Sequence, residues 1–237
     1  GLVKHNGPVV KKGQKKTHFE ITLDEIRKKI DLKLNTYASL EAQIAGIADD
    51  IAYNSHDLDD GLAAGMFSID DLKAVDWVAD IIEKKRKEFK GIDAYLLSQE
   101  IIREVMGTYV MDVLSETRRR LEKLKPQSAD DIRHADFACV SMSDGMKKKD
   151  RVLRDFLWAN FYKHHDVSRV RVKIFNVVQD LFSIFMQHKR CLPLEWFERV
   201  EHPPKGWNAK TWHARMVADY IASMTDRLAL LEHQDLS

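Results

Sequence analysis

The sequence contains little cysteine, proline and glycine for its 237 residues: two, five and ten residues, respectively. Cys139 and Cys191 are too few and too isolated for a disulfide framework or a cysteine-based zinc site, which favours a reduced compartment. No apolar run approaches the roughly 20 residues that a membrane-crossing helix needs. A signal peptide is also missing, so the sequence predicts a cytoplasmic protein without a membrane partner.

Net charge of either sign is also nearly absent, at a formal +1. Because no global field would attract nucleic acid, that partner is not favoured, although basic clusters occur at 84–87, 118–120 and 147–149. Glycine-rich phosphate loops, a G-x-S-x-G elbow and an H-E-x-x-H pair are all missing. With 44% apolar and 32% charged residues, the composition is that of a globular protein.

The apolar residues recur with a helical period, and we find no alternating strand, β-hairpin signal or internal repeat. The sequence therefore predicts an all-α bundle with short loops between antiparallel neighbours. The first predicted helix begins at Leu40, with Ser39 as its cap, and is loosened or ended by Asp60-Gly61 and Gly65. Further helices are predicted at 72–89, 94–124, 143–163, 167–188 and 212–232. We predict a short mixed segment at 130–142 and a connector at 192–204.

The first 35 residues have weaker patterns. Residues 1–5 are typical of a helix end closed by Asn6-Gly7-Pro8, followed by a lysine-rich loop at 8–16 and a faint helical pattern at 21–35. Because a helix that ends there lacks its beginning, we expect the sequence to be a piece of a longer protein or reading frame.

The stretch ADDIAYNSHDLDDG, residues 48–61, concentrates acidic and imidazole side chains on one helical segment. Asp49, Tyr53 and Asp57 recur at i, i+4 and i+8 and share one stripe, beside a separate apolar stripe. No lysine or arginine occurs between residues 41 and 73, so these carboxylates have no local cationic partner. Carboxylates suit divalent ions, and tyrosine with aspartate can bind sugar hydroxyls. A metal or substrate site, a helix N-terminus and a buried network with distant arginines all remain open.

The histidines are weaker candidates. His56-Asp57 and His165-Asp166 are both His-Asp pairs, but a bare dipeptide does not predict a metal site. His164 and His165 lie where the helical pattern breaks, which favours a helix cap and a surface position.

The aromatic and basic residues near 150–162 are also ambiguous. Arg151 and Arg154 can face phosphates, although solvated helix faces are commoner. Trp158, Phe161 and Tyr162 are more typical of a core or an interface than of base stacking.

Two long motifs resemble a known family: IADDIAYNSHDLDDG at 47–61 and DYIASMTDRLALLEH at 219–233. The segments GLVKHNGP at 1–8, RDFLWANFYKHHDVSRV at 154–170 and VVQDLFSIFMQHKRCLPLEW at 177–196 add to the resemblance. Over essentially its whole length, the chain resembles the bacterial deoxyguanosinetriphosphate triphosphohydrolases (dGTPases) of the HD superfamily.

The resemblance implies a helical, metal-dependent hydrolase that splits a dNTP, with dGTP favoured, into a deoxynucleoside and triphosphate. In the family a His, a His-Asp pair and a distant Asp hold the divalent metal (Mg²⁺, Mn²⁺ or Fe²⁺), and by position that last ligand is Asp49. Tyr53 and Asp57 match contacts near the deoxyribose, with the Asp57 carboxylate at the 3′-hydroxyl. The His56-Asp57 pair is then not the metal-binding one.

The resemblance also implies homo-oligomers, a remainder of the HD catalytic domain at 1–67 and an HD-associated helical region at 68–237. The family's other metal ligands and its catalytic histidine have no counterpart in this chain, so the metal site is incomplete. We therefore expect the isolated chain to be inactive. The alternative is a non-catalytic helical module for regulation or oligomerisation, or the remnant of a disrupted gene.

Overall fold

The computed structural model describes residues 2–4, 7–9, 26 and 29–236. Within these ranges it contains nine α-helices and no β-strand, which confirms the all-α class. The helices are α1 (Leu40–Ala63), α2 (Asp76–Glu88), α3 (Ala94–Leu124), α4 (Ala129–Arg133), α5 (Asp144–Leu157), α6 (His165–Gln187), α7 (Leu194–Glu201), α8 (Ala209–Ser223) and α9 (Asp226–Leu236). Short 3₁₀ segments occur at Leu2–Lys4, Asp71–Ala74 and Lys189–Cys191, and one π-helical turn at Trp158–Tyr162.

Some predictions for the first 35 residues fall outside the described ranges. These are the lysines of the predicted loop and most of the helical pattern at 21–35. Of its described residues, Ile26 is helical, whereas 29–35 contain turns and bends. None of the helices that the structure describes is long and apolar enough to span a membrane.

The chain forms two compact units, Gly1–Tyr162 and Lys163–Ser237. In the first unit, α1 and α2 pack on α3, α5 packs on α1, and Leu58 and Tyr109 are fully buried in the core. In the second, α6 packs on α8 and α9 around Phe185. The domain division after residue 67, which the family resemblance implies, lies inside the first unit and stays a prediction about family domains.

Helix α1 begins at the predicted cap, since the Ser39 hydroxyl accepts a hydrogen bond from the Ala42 N–H. It does not end at Asp60-Gly61, however, but continues to Ala63. The Phe67 ring packs directly on Gly61, where a Cβ atom would lie 2.2 Å from the ring. Gly61 is therefore a packing residue within the helix, and the turn comes only at Gly65, with a φ of +66°.

The predicted boundaries of α3 agree with the structure at both ends. Asp93 caps the first turn by accepting from the Tyr95 N–H at 2.8 Å. Lys125, at a φ of +49°, closes the helix just before Pro126. A side-chain cap at one end and proline at the other make this helix the best determined by local sequence.

The predicted final helix at 212–232 is wrong in one respect, because it is broken into α8 and α9. Met224 is extended, and the Thr225 hydroxyl then accepts from the Leu228 N–H at 3.3 Å, starting a new helix. The predicted connector at 192–204 likewise contains a helix, α7, which starts directly after Pro193.

The predicted helix at 143–163 consists of α5 and the π-helical turn. The Asn160 side chain donates to the Phe156 carbonyl at 2.9 Å within this wider turn. A π turn inserts an extra residue into the helical ladder and so changes the direction of the side chains that follow it. Trp158 and Tyr162 begin and end this turn.

Candidate functional site

Helix α1 presents the predicted site residues at different depths. Asp49 and Tyr53 are exposed, whereas Asp57 is buried with 8% of its surface accessible. Ile51 and Leu58 anchor the helix in the core on its apolar side. The predicted apolar stripe is therefore only partly an anchor, since Ile44 is 46% exposed, and the presenting stripe turns inward at Asp57.

Tyr53 and Asp57 share a pocket of about 180 Å³ in the first unit. Its lining is Asp50, Tyr53, Asn54, Asp57, Arg154, Leu157, Trp158 and Tyr162. Asp49 is not among these residues. The structure thus brings two of the three predicted residues together and adds aromatic and cationic groups that lie about 100 positions later in the chain.

The centre of this pocket is a hydrogen bond from the Tyr162 hydroxyl to Asp57 Oδ2. Burial raises the pKa of Asp57, while the bond from Tyr162 opposes that rise. Burial also raises the pKa of Tyr162, and its bonds with Asp57 and Tyr53 raise it further. The phenol therefore stays protonated and donates, and the carboxylate is left with one further oxygen to accept a ligand hydroxyl.

A buried carboxylate holds the wall of the pocket in place. Asp150 on α5 accepts from Asn54 Nδ2 at 2.9 Å and from the Tyr109 hydroxyl at 3.1 Å, and its Oδ2 forms an ion pair with Arg154 Nε at 3.1 Å. Burial raises the pKa of Tyr109, and the charge of Asp150 adds to that effect, so this phenol remains a donor. Because a buried charge needs such partners, the network fixes α5 beside α1 and keeps Arg154 at the pocket.

A second polar clamp fixes the loop before α5. Gln43 is buried on α1; its Oε1 accepts from the backbone N–H groups of Cys139 at 2.9 Å and Val140 at 3.2 Å. Its Nε2 donates to the Ala38 carbonyl at 3.0 Å. One side chain thus satisfies three buried backbone groups at once.

Helix α3 holds the same loop from the other side through Glu116. This carboxylate accepts from Arg119 and Arg120, and Arg120 also donates to the Ala138 carbonyl at 2.8 Å. The hydrogen bonds from Arg119, followed by those from Arg120, lower the pKa of Glu116 to about 2. Its charge is therefore part of the loop's anchorage.

Two further pockets of about 190 Å³ each lie along α1 in the first unit. Asp50 lines both of them and the Asp57 pocket as well, whereas Asp49 lines none of the three. The three pockets therefore distinguish Asp50 from Asp49, and the metal role of Asp49 stays a prediction.

The residues around Asp49 do not by themselves make a metal site. Across the described ranges, one group of three histidine, cysteine or carboxylate ligands is close enough to hold an ion, and it is His164, His165 and Asp166. Asp49 belongs to no such group there. Asp49 alone offers too few ligands for a zinc-type site, in which three or four protein side chains hold the ion.

Sequence reasoning missed Tyr162 and Trp158 as pocket residues, because aromatic residues at helical spacing are usually core. Trp158 is in fact 52% exposed and Tyr162 contacts Asp57 across 105 positions of sequence. Arg154 lines the pocket although its side chain is 62% exposed, and its role at a phosphate stays a prediction. The motif at 154–170 was the only sequence signal that linked these residues to the acidic helix.

Comparison with known proteins gives two findings. Residues 140–235 match the family described as Phosphohydrolase-associated domain. Curated relatives match the whole chain, each called a deoxyguanosinetriphosphate triphosphohydrolase-like protein. The protein of Parvibaculum lavamentivorans is 41% identical over 236 residues, that of Caulobacter sp. (strain K31) 40% over 236, and that of Cereibacter sphaeroides 39% over 236.

The match covers all of this chain but only part of each relative. The chain spans 58% of the Parvibaculum and Caulobacter proteins and 60% of the Cereibacter protein. The resemblance that the motifs at 47–61 and 219–233 indicated is therefore confirmed along the chain. Over its whole length, the chain is therefore similar to part of the deoxyguanosinetriphosphate triphosphohydrolase-like proteins.

Proposed function

We propose that this chain supplies the sugar-binding wall of a metal-dependent dNTP triphosphohydrolase, which releases a deoxynucleoside and triphosphate and favours dGTP. The names of the relatives support the reaction class. The main support for the proposal is the pocket in which the buried Asp57 carboxylate accepts from the Tyr162 hydroxyl, which also interacts with Tyr53.

The chemistry of the pocket fits a deoxynucleotide. A carboxylate that already has one donor, Tyr162, can accept a sugar hydroxyl through its other oxygen. Trp158 offers an exposed aromatic face to a base or sugar ring. Arg154 offers a guanidinium, which suits a phosphate oxygen and is already oriented by Asp150. These three groups recognise a hydroxyl, a ring and a phosphate, respectively.

The size of the pocket limits what it can hold. Ligand pockets for drug-sized molecules measure roughly 300–1,000 Å³, and the pocket here has about 180 Å³. It is therefore large enough for the sugar and its immediate substituents but not for a whole dNTP. The base and most of the triphosphate would extend outside it.

A dideoxynucleotide tests the role of Asp57 directly. We expect dGTP or deoxyguanosine to perturb the Trp158 indole resonance in an NMR titration of the chain. Its 3′-deoxy analogue should bind about 10- to 100-fold more weakly, because one hydrogen bond to a charged group is lost. Asp57→Asn should remove most of this difference, whereas Asp80→Asn, an exposed aspartate on α2, should leave it intact. Equal affinity of both ligands for the unmodified chain would contradict the proposal.

We also propose that the 237 residues do not hydrolyse dNTPs on their own, because the described part offers one predicted metal ligand at Asp49. A triphosphate-release assay with dGTP and Mn²⁺ should give no turnover above buffer. Robust turnover would contradict this part. In an enzyme reconstituted with the family's other ligands, Asp49→Ala should abolish metal content and Asp50→Ala should retain it. If Asp50→Ala abolished the metal content and Asp49→Ala retained it, the metal ligand would be Asp50 instead of Asp49.

A second candidate function is a non-catalytic oligomerisation module, which a feature of α6 favours. Val170, Ile174 and Val178 recur at i, i+4 and i+8 and are all exposed, as is Phe175 beside them. Such a stripe is typical of a helix that packs against a partner. Light scattering after size exclusion should then report a multimer that Ile174→Asp dissociates. A monomer at high concentration would exclude this function.

A further inference from the structure

The start of the second unit has a cluster of metal-ligating side chains to which the proposed function assigns no role. His164 is the N-cap of α6, and His165 and Asp166 are its first two residues. The two imidazole rings lie side by side, with centroids 4.5 Å apart. Asp166 faces both, with its Oδ2 at 3.6 Å from His164 Nδ1 and its Oδ1 at 3.1 Å from His165 Nε2.

These distances match the edges of a coordination polyhedron. Zinc–nitrogen and zinc–oxygen bonds of about 2.0–2.2 Å at tetrahedral angles place neighbouring ligand atoms about 3.3–3.5 Å apart. The two separations, 3.1 and 3.6 Å to the two different oxygens of Asp166, lie on either side of that range. One ligand atom from each of the three residues lies within 4.8 Å of the others. Small side-chain rotations are therefore enough to enclose an ion.

The donor set selects the class of metal. Two imidazoles and one carboxylate suit Zn²⁺, Ni²⁺ and Cu²⁺, whereas Mg²⁺ and Ca²⁺ prefer oxygen ligands only. The side chains of His165 and Asp166 are 73% and 62% exposed, so water can complete the coordination and the site has an entry path.

Two local features limit the affinity. The N-terminal end of α6 carries a partial positive charge, which disfavours a cation. His164 Nδ1 also accepts a long hydrogen bond, 3.4 Å, from the Asp166 N–H, which a metal on that nitrogen would replace. Both costs are small in comparison with three metal–ligand bonds, and the N–H is free to bond with water. These costs favour a site of micromolar rather than nanomolar affinity.

We propose that His164, His165 and Asp166 form a binding site for a late first-row divalent cation, with Zn²⁺ as the natural candidate. The helix-cap and surface roles predicted for the two histidines are confirmed by the structure and are compatible with this site. The site uses no residue of the Asp57 pocket, so the test of zinc binding is independent of the test of the proposed function.

Histidine-selective NMR on the whole chain, titrated with ZnCl₂ in a non-chelating buffer, tests the proposal. The imidazole resonances of His164 and His165 should shift first, with one equivalent bound at micromolar concentration. Replacing His165 by Gln, or Asp166 by Asn, should weaken binding at least 10-fold. His164→Asn is the most informative variant, because asparagine keeps the N-cap and removes only the imidazole.

The matched control is His202→Gln, an exposed histidine elsewhere in the second unit. This variant should bind zinc like the unmodified chain. The proposal is overturned if other histidines shift before residues 164 and 165, or if the His165→Gln and Asp166→Asn variants bind with unchanged affinity. Circular dichroism of each variant ensures that a loss of binding reflects a lost ligand and not a lost helix.

Discussion

Replacement of Gly61 tests how tightly helix α1, which contains Tyr53 and Asp57, is packed in the core. Alanine at a helix interior ordinarily gains about 1 kcal/mol over glycine. At Gly61 the new methyl group would lie 2.2 Å from Phe67 Cε1 and 2.4 Å from Cζ. The Phe67 ring is itself buried, with its centroid 5.2 Å from that of Phe156 in an edge-to-face contact. The ring cannot move aside without disturbing a second buried ring, so the substitution should overpack the core.

Gly107 provides the matched control, because it also lies within a helix, α3, but has no neighbouring atom within 4 Å of an added Cβ. Gly107→Ala should raise the free energy of unfolding by about 0.5–1 kcal/mol. Gly61→Ala should be less stable than Gly107→Ala by about 1–3 kcal/mol, which is the overpacking cost alone. The helix-propensity gain is common to both variants and cancels in the comparison.

Urea denaturation followed by far-UV circular dichroism measures both free energies, provided that the m-values agree. Trimming the ring with Phe67→Leu in the Gly61→Ala background should recover part of the loss, and a double-mutant cycle isolates the coupling. If Gly61→Ala were as stable as Gly107→Ala, the close contact between Gly61 and Phe67 would not exist in solution.

Three further predictions concern the polar clamps around the site. Gln43→Leu leaves the N–H groups of residues 139–140 without acceptors, so the free energy of unfolding should fall by about 2–4 kcal/mol in urea titrations. Tyr109→Phe removes one donor from the buried Asp150 and should cost about 1–3 kcal/mol in the same assay, with little change in the near-UV spectrum if packing is kept. Glu116 has a folded pKa of about 2, below its ordinary 4.5. Its contribution is therefore complete above about pH 5 and is lost as the pH falls towards 2. We expect that loss to be on the order of 1–3 kcal/mol, and to be absent in Glu116→Gln when stability is followed against pH.

The sequence was sufficient wherever local chemistry decides the structure. Both ends of helix α3 could be predicted to the exact residue, because an aspartate cap precedes the helix and a proline follows it. Helix α1 began as predicted for the same reason, at the Ser39 cap. The packing role of Gly61 could not be predicted, since glycine usually weakens a helix and only the position of Phe67 shows why this one is retained.

The candidate site could be predicted only in part, because it joins segments that are distant in sequence. Helical spacing placed Tyr53 and Asp57 on one stripe, and the structure puts both in one pocket. No periodicity could pair Asp57 with Tyr162, 105 residues away. The break at Met224 was missed because the apolar pattern continues across it, whereas the Thr225 cap that restarts the helix is a weaker signal.

Because of the π-helical turn at Trp158–Tyr162, the geometry of the site depends on the number of residues in this turn more than on their identity. Losing one residue there would let the segment relax into an ordinary α-helix, and Tyr162 would swing by about 100° around the helix axis. Its hydroxyl would then point away from Asp57, although every side chain of the pocket was still encoded. Single-codon deletions in this turn should thus be more harmful than most point substitutions, and relatives that have diverged at its side chains are expected to keep its length.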